Sequence, residues 1–167
     1  MSITAFLLLT VGAALAEEPT VTVDGATVRG SAVLEVPATR FLAALRDPAW
    51  EGQVAGDGTE AHITGSEGGC QIVSYSSPNS VATATYVLRR CPTADGWESS
   101  LVRSNTFTAY RSRWTVTPAA RACRVSFEVE LSVSAWVPDS LVQSQTVQSI
   151  QRRLQALQAW ASGQPKE

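Results

Sequence analysis

Few side chains in this sequence have reactive or ligating chemistry. His62 is the single histidine among 167 residues, which excludes a histidine-rich metal site and leaves one imidazole for any catalytic triad. Its neighbours Ala61 and Ile63 place it on a strand with no supporting Asp or Ser pattern, so a surface or structural role is expected. The sequence carries no Gly-rich phosphate loop, nucleophile elbow or Cys-x-x-Cys pair. This inventory points away from an enzyme, from bound metal and from any cofactor. It leaves residues suited to holding a molecule. Tyr86, Leu88 and Arg90 share one face of a strand, with Arg89 and Cys91 on the other. An Arg facing inward needs an internal carboxylate or bound water as partner, whereas an Arg on the outer face is simply solvated. Arg103 is a second basic candidate. Trp114, between Ser112 and Val116, fits a core position as well as a stacking platform.

The cysteines are Cys70, Cys91 and Cys123. A hairpin turn centred between Ser80 and Val81 sets Cys70 directly opposite Cys91, where a disulfide can form at suitable pair geometry. Two other readings stand beside it: a Cys91–Cys123 bond, and three buried thiols acting as small apolar residues.

These residues must be positioned by a chain that alternates strand and turn signals between an early helix and a long final one. Residues 17–27 read as an extended N-terminal arm. Val28 to Val36 puts Ala32, Leu34 and Val36 on one strand face. Pro37 opens a short helix carrying Phe41, Leu42 and Leu45 on one side, and Asp47-Pro48 stops it. A Gly-rich stretch leads to a short strand at Glu60 to Thr64, then to a hairpin of Cys70 to Ser76 and Thr83 to Cys91 around Ser77-Pro78-Asn79-Ser80. Strands follow at Trp97 to Ser104, Tyr110 to Thr117 and Ala122 to Ser134. In the last of these, Val125, Phe127, Val129, Leu131 and Val133 alternate with polar residues, the mark of a sheet with one dry face. Asn105 to Ala109 reads as a loop in which Phe107 either lines the entrance of a cavity or folds back on the core.

After Pro138 the period changes to three and four. Val147, Ile150, Leu154, Leu157 and Ala161 form the apolar stripe of an amphipathic helix of about six turns, read as core that also lids a pocket. Strand, helix, antiparallel strands and a long C-terminal helix make an α+β architecture, a curled sheet wrapped around that helix. Such an arrangement leaves room for a small molecule between the two layers.

Residues 1–16 end in an apolar run and Ala14-Leu15-Ala16, the pattern of a signal peptide cleaved before Glu17, although no Lys or Arg precedes the run. A periplasmic or secreted location is therefore expected. Beyond that leader no apolar stretch approaches the roughly twenty residues of a span, so stable membrane insertion is not expected. The formal net charge of −2 offers no basic field for nucleic acid.

Three stretches resemble the START-like (helix-grip, SRPBCC) superfamily, and within it the lipid-transfer START domains. AVLEVPATRFLAALRDPAWE is similar to the family's opening strand and helix. YSSPNSVATATYVLRRC with the following DGW is similar to its central hairpin. SAWVPDSLVQSQ with the later LQAL is similar to the Trp-x-Pro start of its last helix. The sequence departs from the pattern at Ala84 and Thr85, where the family usually carries Arg-Asp, and it is shorter than lipid-transfer START domains. The resemblance implies one START-like domain over residues 28–162 followed by a tail at 163–167. It further implies a cavity in which Arg90 holds a ligand's hydroxyl, carbonyl or carboxylate. Tyr86, Leu88, Arg103, Phe107, Trp114, Ile150 and Leu154 are the other candidate lining residues. The implied function is binding or transfer, as a monomer, of a hydrophobic small molecule such as a lipid or sterol, with transient membrane contact. The alternatives are a polyketide cyclase/aromatase-like enzyme using Arg90, Tyr86 and Tyr75, and a ligand-free interaction module with a filled core.

Overall fold

The computed structural model describes residues 17–78, 83–133 and 136–164. The expected leader at 1–16 and residues 79–82, 134–135 and 165–167 lie outside the described residues. The rest folds as an α+β unit. Eight strands form one antiparallel sheet in the order β1-β2-β8-β7-β6-β5-β4-β3. They are Thr20–Asp24 (β1), Thr27–Leu34 (β2), Glu60–Glu67 (β3), Cys70–Pro78 (β4), Thr83–Pro92 (β5), Gly96–Ser104 (β6), Phe107–Ala119 (β7) and Ala122–Val133 (β8). Between β2 and β3 run two short helices, Ala38–Ala44 (α1) and Pro48–Ala55 (α2), and the chain closes with the long helix Asp139–Ser162 (α3). The helical passage carries the chain from β2 to β3 at the far edge of the sheet, and β3 to β8 follow as consecutive hairpins.

Three departures from the sequence expectations have local causes. The expected arm contains β1, because alternating Thr20-Val21-Thr22-Val23 pairs with β2 across the Gly25 turn. The Gly-rich stretch after Pro48 begins as a helix: Asp47 Oδ1 accepts the Ala49 N–H at 3.0 Å, Pro48 occupies the first turn, and Gly56 ends it in the left-handed conformation. Asp47-Pro48 thus ends one helix and starts another. Phe107 opens β7 rather than sitting in a loop, paired with Val133 of β8. The tail is also tied at its start, since Arg40 Nη2 donates to Gln164 Oε1 at 2.8 Å.

The dry face of β8 is as its alternation requires, with Cys123, Val125, Phe127 and Val129 buried. Helix α3 lays Ile150, Leu154, Leu157 and Ala161 onto that side. Its close approach depends on Gly30 of β2, where a side chain would collide with Ile150 and Leu154. Four rings from different elements knot the helices to the sheet: Phe41 lies edge-on to Trp50 and Trp114 at 5.9 and 5.6 Å, and Trp50 to Trp160 at 4.9 Å. A second, smaller cluster gathers Ala61, Val73, Tyr75 and Leu88 under the β3–β5 half.

Cys70 and Cys91 are bonded, with their Cα atoms 4.2 Å apart, and Cys123 is a buried free thiol. Burial pushes that thiol up to about 11, so it stays protonated and packs as a small apolar group. The sheet's two edges differ from its centre. β1 is five residues long and ends in Asp24, while β3 carries the exposed Glu60, His62 and Glu67 and a register shift between Ile63 and Gly65.

Leu154 is fully buried, so Leu154→Ala should lower unfolding free energy by about 2–5 kcal/mol in urea denaturation.

Candidate functional site

The site begins with Arg90, the buried charged residue of the core at 2% exposure. Strand β5 turns it inward with Tyr86 and Leu88. A guanidinium there must spend its donors on the protein. Nη2 donates to Glu51 Oε1 at 2.6 Å and to the Leu45 carbonyl at 3.0 Å, and Nη1 to Gln71 Oε1 at 3.3 Å. Its plane lies 5.1 Å from the Trp97 ring centroid. The internal carboxylate that an inward Arg requires is therefore Glu51, one turn into α2. Leu45 ends α1, so Arg90 also satisfies a helix-end carbonyl.

Neighbouring residues reinforce the same junction. Gln71 stands opposite Arg90 in the β4–β5 register, and its Nε2 donates to the Arg46 carbonyl at 2.9 Å. The Cys70–Cys91 disulfide sits one residue further along both strands. On the helical side, Gly52 presses against the Thr59 carbonyl, where any side chain would collide with backbone. That contact seats α2 and aims the adjacent Glu51.

From the other side comes Arg153 of α3. Its Nη1 lies 3.9 Å from Glu51 Oε2, and its guanidinium is 5.4 Å from the Phe127 ring centroid. Burial, the largest single influence, would lower its pKa, but Glu51 acting together with Tyr110, Tyr86 and Asp57 outweighs it, and the net shift is upward. One carboxylate thus lies between two cations.

These groups face a cavity of about 30 Å³ at the seam of the two clusters, with Trp114 and Phe127 from one and Tyr75 and Leu88 from the other. That is room for about one water. Tyr75 and Tyr86 stack at 5.0 Å, Tyr110 is 6.1 Å from Tyr86, and Phe107 closes on both at 5.1 and 5.6 Å. Burial raises the pKa of all three phenols, so they are hydrogen-bond donors at neutral pH and not bases.

Of the sequence candidates, the structure brings Tyr86, Leu88, Arg90 and Trp114 together around this cavity, with Phe107 against the tyrosines. Arg103 is exposed near the end of β6. Ile150 and Leu154 pack on β2 at Gly30 rather than on the cavity. His62 is exposed on β3. Sequence reasoning passed over Glu51, Arg153 and Tyr110. Glu51 stood in view as the acid after Asp-Pro-Ala-Trp, and Arg153 as the charged residue beside the apolar stripe of α3, but only the fold shows that they meet. A larger concavity of about 410 Å³ lies on the outer side of the sheet. Of its lining charges, Arg113 pairs with Glu98 at 2.7 Å and Glu128 with Arg29 at 2.8 Å.

Removing the Glu51 carboxylate strands Arg90 without its counter-charge, so Glu51→Ala should cost about 3–5 kcal/mol in denaturant unfolding. The raised phenols bind their protons more tightly in the folded chain than at their ordinary value of 10.0. Stability is therefore full below that pH and falls as the pH rises above it, and phenolate absorbance should appear together with unfolding in an alkaline titration.

No protein-family model matches the chain, and no curated protein matches it in sequence. Solved structures do match. A START superfamily protein from Mycobacterium smegmatis superposes with a TM-score of 0.74 at 13% identity, over 83% of this chain and 98% of that one. The Zhui aromatase/cyclase from Streptomyces sp. R1128 gives 0.70 at 14%, over 81% and 93%. A STAR-related lipid transfer protein fragment from Xanthomonas axonopodis gives 0.69 at 18%, over 88% and 95%. The likeness thus spans a lipid transfer protein and an aromatase/cyclase, on one architecture. The chain has the START-like helix-grip fold.

Proposed function

We propose that this protein binds or carries a hydrophobic small molecule, lipid or sterol-like, between its sheet and α3, outside the cytoplasm. The observation that carries this reading is the Glu51–Arg90–Arg153 network beside three tyrosines at the centre of the fold. Buried ion pairs contribute little to stability compared with apolar packing. A fold that needed only a core would be served better by aliphatic residues there. Polar groups converging in an apolar surround are instead the layout of a site that orients a mostly apolar ligand. The cavity holds about one water as it stands, so a larger molecule requires the packed Tyr86, Phe107 and Tyr110 rings to part.

Export is supported by the leader at residues 1–16 and by the Cys70–Cys91 bond, which suits an oxidising compartment. Trp136 and Leu141, exposed where β8 passes into α3, suit brief contact with a lipid surface near Phe107. The tyrosines stay protonated at neutral pH, so they offer hydrogen-bond donors and no general base. A cyclase reading would place Arg90, Tyr86 and Tyr75 on a polyketide, and conversion of a supplied polyketide would establish it. The small cavity favours a further reading, an interaction module whose core is filled.

Native mass spectrometry of the protein from its own export compartment, before and after organic extraction, separates these. A discrete added mass that vanishes on extraction is expected. A clean protein mass, with no binding across a lipid panel, would leave the interaction module.

A further inference from the structure

Building on the hydrophobic-ligand reading, we infer that the ligand is an amphiphile with a carboxylate head, and that Arg153 receives the head. Arg90 is the obvious basic anchor on β5, yet the fold consumes it. Both of its terminal nitrogens donate to protein oxygens, its face lies over Trp97, and it is 2% exposed. Arg153 also lies against a ring, Phe127, but differs in its polar contacts and its exposure. Its ionic contact with Glu51 is 3.9 Å long, beyond the roughly 2.7–2.9 Å of a charge-assisted hydrogen bond. The Glu51 oxygen that makes a short bond is the one turned to Arg90. Arg153 keeps 22% side-chain exposure and lines the cavity, beside the space a ligand head would occupy.

The charge balance points the same way. The ionised groups around the cavity are Glu51, Arg90 and Arg153, one anion against two cations. Asp57 acts on Arg153 from a greater distance and is exposed, so solvent screens it. A neutral ligand would leave the second guanidinium half-satisfied. A carboxylate would balance it and match its planar fork. The protonated phenols of Tyr75, Tyr86 and Tyr110 add donors and no competing negative charge. The apolar tail then runs along the seam between the two clusters, displacing the aromatic rings packed there.

Isothermal titration of the full chain with decanoate, decanol and acetate, at a pH where the acids are ionised, tests this. Decanoate should bind at least about tenfold more tightly than decanol, the size of one charge-assisted contact. Arg153→Met keeps a flexible apolar stem over Phe127 and should bring the two within about twofold, while Arg153→Lys should keep a preference for the acid. Glu51→Gln, which removes the competing anion, should strengthen decanoate binding, provided thermal melting shows the variant folded. Equal binding of decanoate and decanol by the wild type would overturn the carboxylate inference and leave the hydrophobic-ligand reading intact. So would an acid preference that survives in a folded Arg153→Met. Acetate binding as tightly as decanoate would overturn the amphiphile in favour of a bare anion site. Failure of both decanoate and decanol to bind would overturn the hydrophobic-ligand reading itself, and this inference with it.

Discussion

The burial of one guanidinium organises this fold. Once β5 turns Arg90 inward, its charge and donors must be met by the protein, and the surrounding elements are arranged to meet them. The end of α1 supplies the Leu45 carbonyl, α2 supplies Glu51, and β4 supplies Gln71. Three separate pieces of chain are thereby held to one side chain. The disulfide one residue away fixes the β4–β5 register that brings Gln71 opposite Arg90. Gly52 fixes the depth at which α2 sits and hence the reach of Glu51. None of these features is unusual alone. Their convergence makes the junction stiff on the Arg90 side and leaves the Arg153 side, where the contact is longer, less constrained.

Much of the architecture was legible because it rests on periodicity. The period of two in β8 and the three-four stripe of α3 are repeated many times, so no single neighbour can disguise them. Hairpin register, which is also local, made Cys70–Cys91 one of three cysteine readings, and it is the one the structure has. The α2 helix was obscured because its composition is poor for a helix. It holds two residues of low propensity, Pro48 and Gly52, and it forms because Asp47 caps it and Gly52 packs. β1 was read as an arm because nothing in TVTVD says which strand will accept it.

The site was legible only by halves. Strand parity brought Tyr86, Leu88 and Arg90 to one face, and that much needs no tertiary knowledge. Their partners lie far away in sequence: Glu51 is 39 positions from Arg90, and Arg153 sits on another layer altogether. No spacing rule connects them. Ile150 and Leu154 illustrate the converse, since an apolar stripe looks the same whether it faces a cavity or a glycine. Gly30 decides the matter, by letting the helix lie so close to β2 that those side chains are used up in packing.

The edges of the sheet carry a consequence for how the molecule can meet others. An open eight-stranded sheet presents two rows of unpaired backbone groups, and such rows invite further strands to add. Here one row is only five residues long and closes on an aspartate. The other is bent by a register slip and fringed with glutamates. Neither offers a long straight template, so growth by strand addition is discouraged at both ends. Any partner of this protein has to recognise its side chains, because its backbone offers so little to grasp.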